Sequence, residues 1–165
     1  MKRLLVCLLL VGVVGCGEKE TSDAGKHQPM PSKLVAKWNK SGFNVGWMGP
    51  DPTALTSMNA AYGFSKTPDS FQPNRAVPAF QQYGPFWRTK SLPAPKIAFG
   101  LNLKYMATSD EDLREISRFK QITVLSISWS PITDAGLKEV AKLQQLFSLS
   151  LFASKKITDA GLKEV

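Results

Sequence analysis

Few side chains in this 165-residue sequence have the chemistry of a nucleophile, a base or a metal ligand. There are two cysteines, Cys7 and Cys16, and a single histidine, His27. Cys7 lies inside an apolar run, and His27 sits in a polar segment with neither a second ligand nor a nucleophile beside it. A histidine so placed is expected to be solvated and inert. The carboxylates Asp110, Glu111 and Asp112 are the one cluster suited to acid or metal work. They come after Ser109 where a helix should begin, and there negative charge is favourable without any ligand. The sequence has no G-x-S-x-G, no glycine-rich phosphate loop and no metal-ligand spacing. The expectation is a protein without catalytic residues, cofactor or metal.

Cys16 is set apart by the residues before it. Lys2 and Arg3 lead into the aliphatic stretch 4–14, which is too short to cross a hydrocarbon core of about 30 Å. That pattern predicts a secretory signal peptide. Val13-Val14-Gly15-Cys16 resembles the lipobox of bacterial lipoproteins, with Val13 in place of the usual leucine. The resemblance implies cleavage before Cys16, lipid on its thiol, and attachment to the cell membrane or outer membrane on its periplasmic or surface face. Gly17 is not the aspartate that family associates with inner-membrane retention. Cys7 would leave with the signal peptide, so no internal disulfide is expected.

The rest of the chain falls into three stretches. Residues 16–32 lack Leu, Ile, Val and aromatics, the composition of a tether. Residues 33–97 are expected to form an N-terminal cap over the stretch 98–165. Leu34, Val35 and Trp38 have helical spacing, Gly42 reads as a helix stop, and Phe43, Val45 and Trp47 alternate as in a strand. Residues 49–73 read as a long irregular excursion, and Pro78 should confine the next extended piece to a sheet edge. The aromatics Trp38, Phe43, Trp47, Phe80 and Trp87 are expected to pack within this cap.

From residue 98 the sequence is periodic. Ile122, Leu125 and Ile127 recur 24 residues later as Leu146, Leu149 and Leu151, and "ITDAGLKEV" occurs at 132–140 and 157–165. An older copy places Ala98, Leu101, Leu103, Leu113 and Ile116 in the same frame. Each unit, at 98–121, 122–145 and 146–165, should be a strand, a turn, and a helix capped by Ser109, Thr133 or Thr158. A period of 20 to 29 residues with the frame L-x-x-L-x-L resembles a leucine-rich repeat. The stretch from Leu92 resembles bacterial leucine-rich-repeat lipoproteins, which implies an α/β solenoid with parallel strands lining a concave face. The repeats also resemble those of F-box substrate receptors. No F-box-like segment is present, however, so no ubiquitin-ligase role is implied. Ser130 and Ser154 stand where that frame usually has an asparagine ladder, and Met106 cannot serve there.

Strand positions not spent on the core are the expected binding residues: Phe99, Asn102, Tyr105, Ser126, Trp129, Phe147, Ser150 and Phe152. Tyr105 with Trp129, and Phe99 with Phe147, should form two aromatic columns. The expected partner is a protein or peptide, or a glycan. The alternative is a structural or self-assembling envelope protein, or a fragment of a longer repeat array, associating through the last repeat. The formal charge is +8, no run of five basic residues occurs, and residues 96–165 hold 10 basic against 8 acidic side chains. Nucleic acid is therefore not an expected partner.

Overall fold

The structure, a computed structural model, describes residues 5–6, 28–50, 62–71, 75–82, 91–103 and 108–165. Cys16, His27, Trp87 and Tyr105 lie outside the described residues. The fold is α/β, built on a mixed sheet of six strands. In chain order the elements are β1 (Leu5–Val6), α1 (Ser32–Lys40), β2 (Asn44–Pro50), β3 (Tyr62–Ser65), β4 (Val77–Gln81) and β5 (Phe99–Asn102). There follow α2 (Asp110–Ile116), β6 (Ile122–Ser126), α3 (Asp134–Val140), β7 (Ser148–Ser150) and α4 (Asp159–Leu162). The six strands run in the order β7-β6-β5-β4-β2-β3, and the two-residue β1 pairs in parallel with Ser148 and Leu149 of β7.

Helix α1 forms as its spacing predicts. Trp38 is fully buried with Leu34 and Val35 half-buried beside it. The helix ends at Gly42 with φ +86°, the left-handed conformation that glycine adopts without steric cost. There the Gly42 N–H donates to Asn39 O (2.9 Å) and the Phe43 N–H to Trp38 O (3.1 Å). The chain then turns into β2. Two expectations fail in this region. The excursion 49–73 contains β3, which pairs antiparallel with β2. And β4 is interior, antiparallel to β2 and parallel to β5, although it contains Pro78. Pairing with β5 begins at Ala79, so the proline stands just before the ladder that it could not serve.

One face of the sheet carries the main core. Trp38 stacks on Phe80 at 3.9 Å and 16°, meets Phe43 edge-on at 4.7 Å, and its Nε1–H donates to Pro93 O at 3.1 Å. Phe99 and Phe119 extend this aromatic cluster into Leu101, Leu125 and Leu149 from the strands and Leu113, Ile116, Leu137 and Val140 from the helices. The residues before 97 therefore share a core with those after it.

The three strand–helix pairs from β5 onward are parallel and in register, with Leu101 opposite Leu125 and Leu125 opposite Leu149. The first pairing has an irregularity: Phe99 faces Ile122 and Gly100 faces Val124, so Thr123 is an extra residue. Phe99 consequently fills the core position expected for Ala98, which is exposed.

The helices are joined by a repeated contact. Asp110 at the start of α2 accepts the Thr133 N–H at Oδ1 (2.9 Å) and the Thr133 hydroxyl at Oδ2 (2.6 Å). Thr133 Oγ1 in turn accepts the Ala135 N–H at 3.2 Å, capping α3. One unit later Asp134 holds Thr158 in the same way, at 2.8 and 2.6 Å, and Thr158 caps α4 through Ala160. A Cβ on Gly136 would run into Asp110 Oδ1, and one on Gly161 into Asp134 Oδ1. The glycine of "TDAGL" is thus required by the carboxylate of the preceding unit. At the corresponding place the first helix has Asp112, which closes a capping box with Ser109.

Candidate functional site

The sheet face opposite the main core is where binding was expected, and the structure divides it. At its β2–β3 end Met48, Ala79 and Val124 form a second apolar cluster with Tyr62, Phe64 and Val77 against it. Gly100 allows this, because Met48 Sδ would stand 2.9 Å from a Cβ at that position. Gly100 and Val124 are therefore buried, and Thr123 beside them is buried too. Phe99 belongs to the main core, with none of its surface exposed, and offers nothing to a ligand.

Next along the strands runs a polar row. The register sets Gln81 opposite Asn102, Asn102 opposite Ser126, and Ser126 opposite Ser150, with neighbouring strands about 4.8 Å apart. All four are buried. Among the described residues, both amide atoms of Asn102 and the hydroxyls of Ser126 and Ser128 have no hydrogen-bond partner. Buried polar atoms left so cost free energy, and the row carries no charge.

Beyond the row lie the aromatics. Trp129 is 54% exposed and its ring meets Phe152 edge-to-face at 5.7 Å. The Trp129 N–H donates to Phe152 O at 2.9 Å, so backbone and ring are both tied to the next unit. Trp129 has φ 61°, and Ala153, one unit on, has φ 60°. Left-handed backbone at a non-glycine residue costs about 1–2 kcal/mol, and at a bulky residue it signals a constrained position. Phe147 is 43% exposed and packs edge-on against Tyr62 at 5.8 Å. Among the described residues the aromatic pairs on this face are Trp129 with Phe152 and Phe147 with Tyr62, and Phe99 does not form the expected column with Phe147. Tyr62 was missed because its place depends on the pairing of β3 with β2, for which the sequence has no local signal.

Of the serines at the asparagine positions of the repeat frame, Ser130 is buried, and among the described residues the Ser154 hydroxyl has no partner. The carboxylates Asp110 and Asp112 serve helix ends and unit contacts, and Glu111 pairs with Arg114 at 2.8 Å. Asp134 is held below the usual carboxylate range, chiefly by the Thr158 hydroxyl and then by backbone N–H groups of Thr158 and Gly161. Glu139 is lowered by its bond to Lys142. Among the described residues there is no group of three side chains able to hold a metal, and no helix long and apolar enough to cross a membrane.

No family model matches the chain, and no curated protein or solved structure is significantly similar to it.

Proposed function

We propose that the chain is exported and lipid-anchored through Cys16, and that its strand–helix units are leucine-rich repeats stacked as a short solenoid. In this reading the sheet face opposite the core binds a protein or peptide partner without catalysis. The repeat reading is supported by the 24-residue spacing of Leu101, Leu125 and Leu149 on parallel strands and by the carboxylate–threonine contact between successive helices. The signal pattern before Cys16 supports the anchor.

The observation that carries the binding reading is Trp129. A large apolar ring held half out of the surface, at a backbone conformation disfavoured for it, beside an uncharged polar row, has the make-up of an interface anchor. Trp129→Ala tests it. Loss of a central aromatic anchor weakens binding by about 30-fold or more, while an exposed ring contributes little to stability. A variant of unchanged melting temperature that captures its partner as tightly as the parent chain contradicts the proposal.

A second reading rests on Asp159. It occupies in α4 the place of Asp110 in α2 and Asp134 in α3, is exposed, and among the described residues its carboxylate receives no hydrogen bond. Ile157, Leu162 and Val165 beside it lack the full burial of their counterparts in the preceding unit, Ile132, Leu137 and Val140. In a self-associating protein a threonine of another copy would donate to Asp159. Sedimentation velocity over a range of concentrations distinguishes the cases: self-association shifts the coefficient with concentration, and a partner-binding monomer does not.

A further inference from the structure

The basic residues that look dispersed in the sequence are gathered by α1. Residues 33–97 hold eight basic and two acidic side chains, whereas residues 98–165 hold nine and eight, so the cap carries nearly all the net charge. Lys33, Lys37 and Lys40 are exposed and α1 contains no acidic residue. At about 100° per residue the three fall within about 60° of one another, on the side of the helix away from Trp38. Lys66 lines the same depression as Asn39 and Gly42 at the end of α1. Among the described residues none of the three helix lysines has an ion-pair partner.

Helix stability does not account for this stripe. Lys37 and Lys40 suit the negative C-terminal end, but Lys33 lies in the first turn, where a cation is unfavourable. Lys33 and Lys37 are also like charges at i, i+4, which weakens a helix. The charge is thus better explained by something outside the chain. Position supplies the partner: 15 residues separate Cys16 from Ser32, so α1 cannot stand farther than about 55 Å from a lipid on that cysteine. A basic surface held that close to a bilayer meets anionic headgroups at high local concentration.

We propose that the Lys33–Lys37–Lys40 face of α1 docks on the anionic phospholipid headgroups of the membrane that holds Cys16. The contact rests on the lipid-anchor reading and goes beyond it, because it fixes which side of the protein faces the bilayer. With α1 down, the sheet face bearing Trp129 is carried at a set orientation instead of tumbling on its tether. At about fivefold in affinity per lysine near an anionic surface, three lysines contribute about a hundredfold.

The test uses the full protein purified from membranes and mixed with vesicles of phosphatidylcholine alone or with 40% phosphatidylglycerol. Flotation reports the anchor, and labelling of lysines by a membrane-impermeant amine reagent, read by mass spectrometry against Lys138 and Lys142, reports the docking. The expected result is flotation with both vesicles, and at least fivefold slower labelling of Lys33, Lys37 and Lys40 on anionic vesicles alone, abolished by 0.5 M salt. Flotation with both and equal labelling keeps the anchor and overturns the docking. A chain without lipid that floats only with anionic vesicles, and loses this in K33Q/K37Q/K40Q, overturns the anchor and keeps the docking. A chain without lipid that floats with neither overturns both.

Discussion

Asp110 and Thr133 are 23 residues apart and joined by two hydrogen bonds, one from the Thr133 N–H and one from its hydroxyl, at 2.9 and 2.6 Å. The same threonine oxygen then accepts the Ala135 N–H, so one carboxylate fixes both the stacking of α3 on α2 and the cap of α3. Asp110→Ala removes the charged acceptor of both bonds and should lower stability by about 2 kcal/mol. Asp110→Asn, which keeps one acceptor oxygen, should lose less. Urea denaturation of the three proteins checks the order, and an alanine variant as stable as the parent would show that the contact contributes nothing.

The glycine of the following unit should depend on the same carboxylate. All three atoms nearest to a Cβ at Gly161 belong to Asp134. Gly161→Ala alone should therefore destabilise by about 1–3 kcal/mol, as overpacking does. In the Asp134→Ala background the same change should cost less, because the Oδ1 and Cγ atoms in the way have gone and only the Cβ, 2.9 Å off, remains. A double-mutant cycle that comes out additive would separate the two residues and refute this account of the motif.

Acid should release the last contact. Asp134 is depressed in the folded chain by the bonds from Thr158, so its contribution is present above the unfolded carboxylate value of 3.8 and is lost as pH falls through the lower folded value. Hydrogen exchange at the Thr158 and Ala160 amides should quicken as pH is taken from 5 to 2, after correction for the intrinsic rate. In Asp134→Asn the exchange should already be fast at pH 5, with no further step.

How much of this was legible in the sequence depends on the range of the forces involved. The repeat frame gave the strands and helices from residue 98 onward, since Leu101, Leu125 and Leu149 report their own burial through periodicity. Helix α1 and its Gly42 stop were legible for the same local reason. Phe99 was misplaced because the 24-residue offset holds only from Gly100 onward: before the irregularity Phe99 pairs with Ile122, and the extra residue, Thr123, lies in the other strand. Pro78 was assigned to an edge by a sound local rule, which fails because the strand partner starts one residue later. The covering of Gly100 and Val124 by Met48 depends on contacts across fifty or more residues, which no local pattern records.

Backbone strain offers an independent check on the turn after each strand. Ala153 sits at φ 60°, where glycine has no Cβ penalty. Ala153→Gly should stabilise the chain by up to about 1 kcal/mol, the relief exceeding the added freedom of the unfolded state. A lowered melting temperature in calorimetry would show that the conformation is not strained.

The binding face is the central claim, and it is tested most directly inside the cell that makes the protein. A photoreactive phenylalanine analogue at Phe147, which is exposed on that face, should yield a discrete crosslinked partner on illumination. The same analogue at Lys142, exposed on the helix side, should yield none, and Trp129→Ala should abolish the adduct at 147. An adduct that survives Trp129→Ala, or one that forms equally from position 142, would contradict the account.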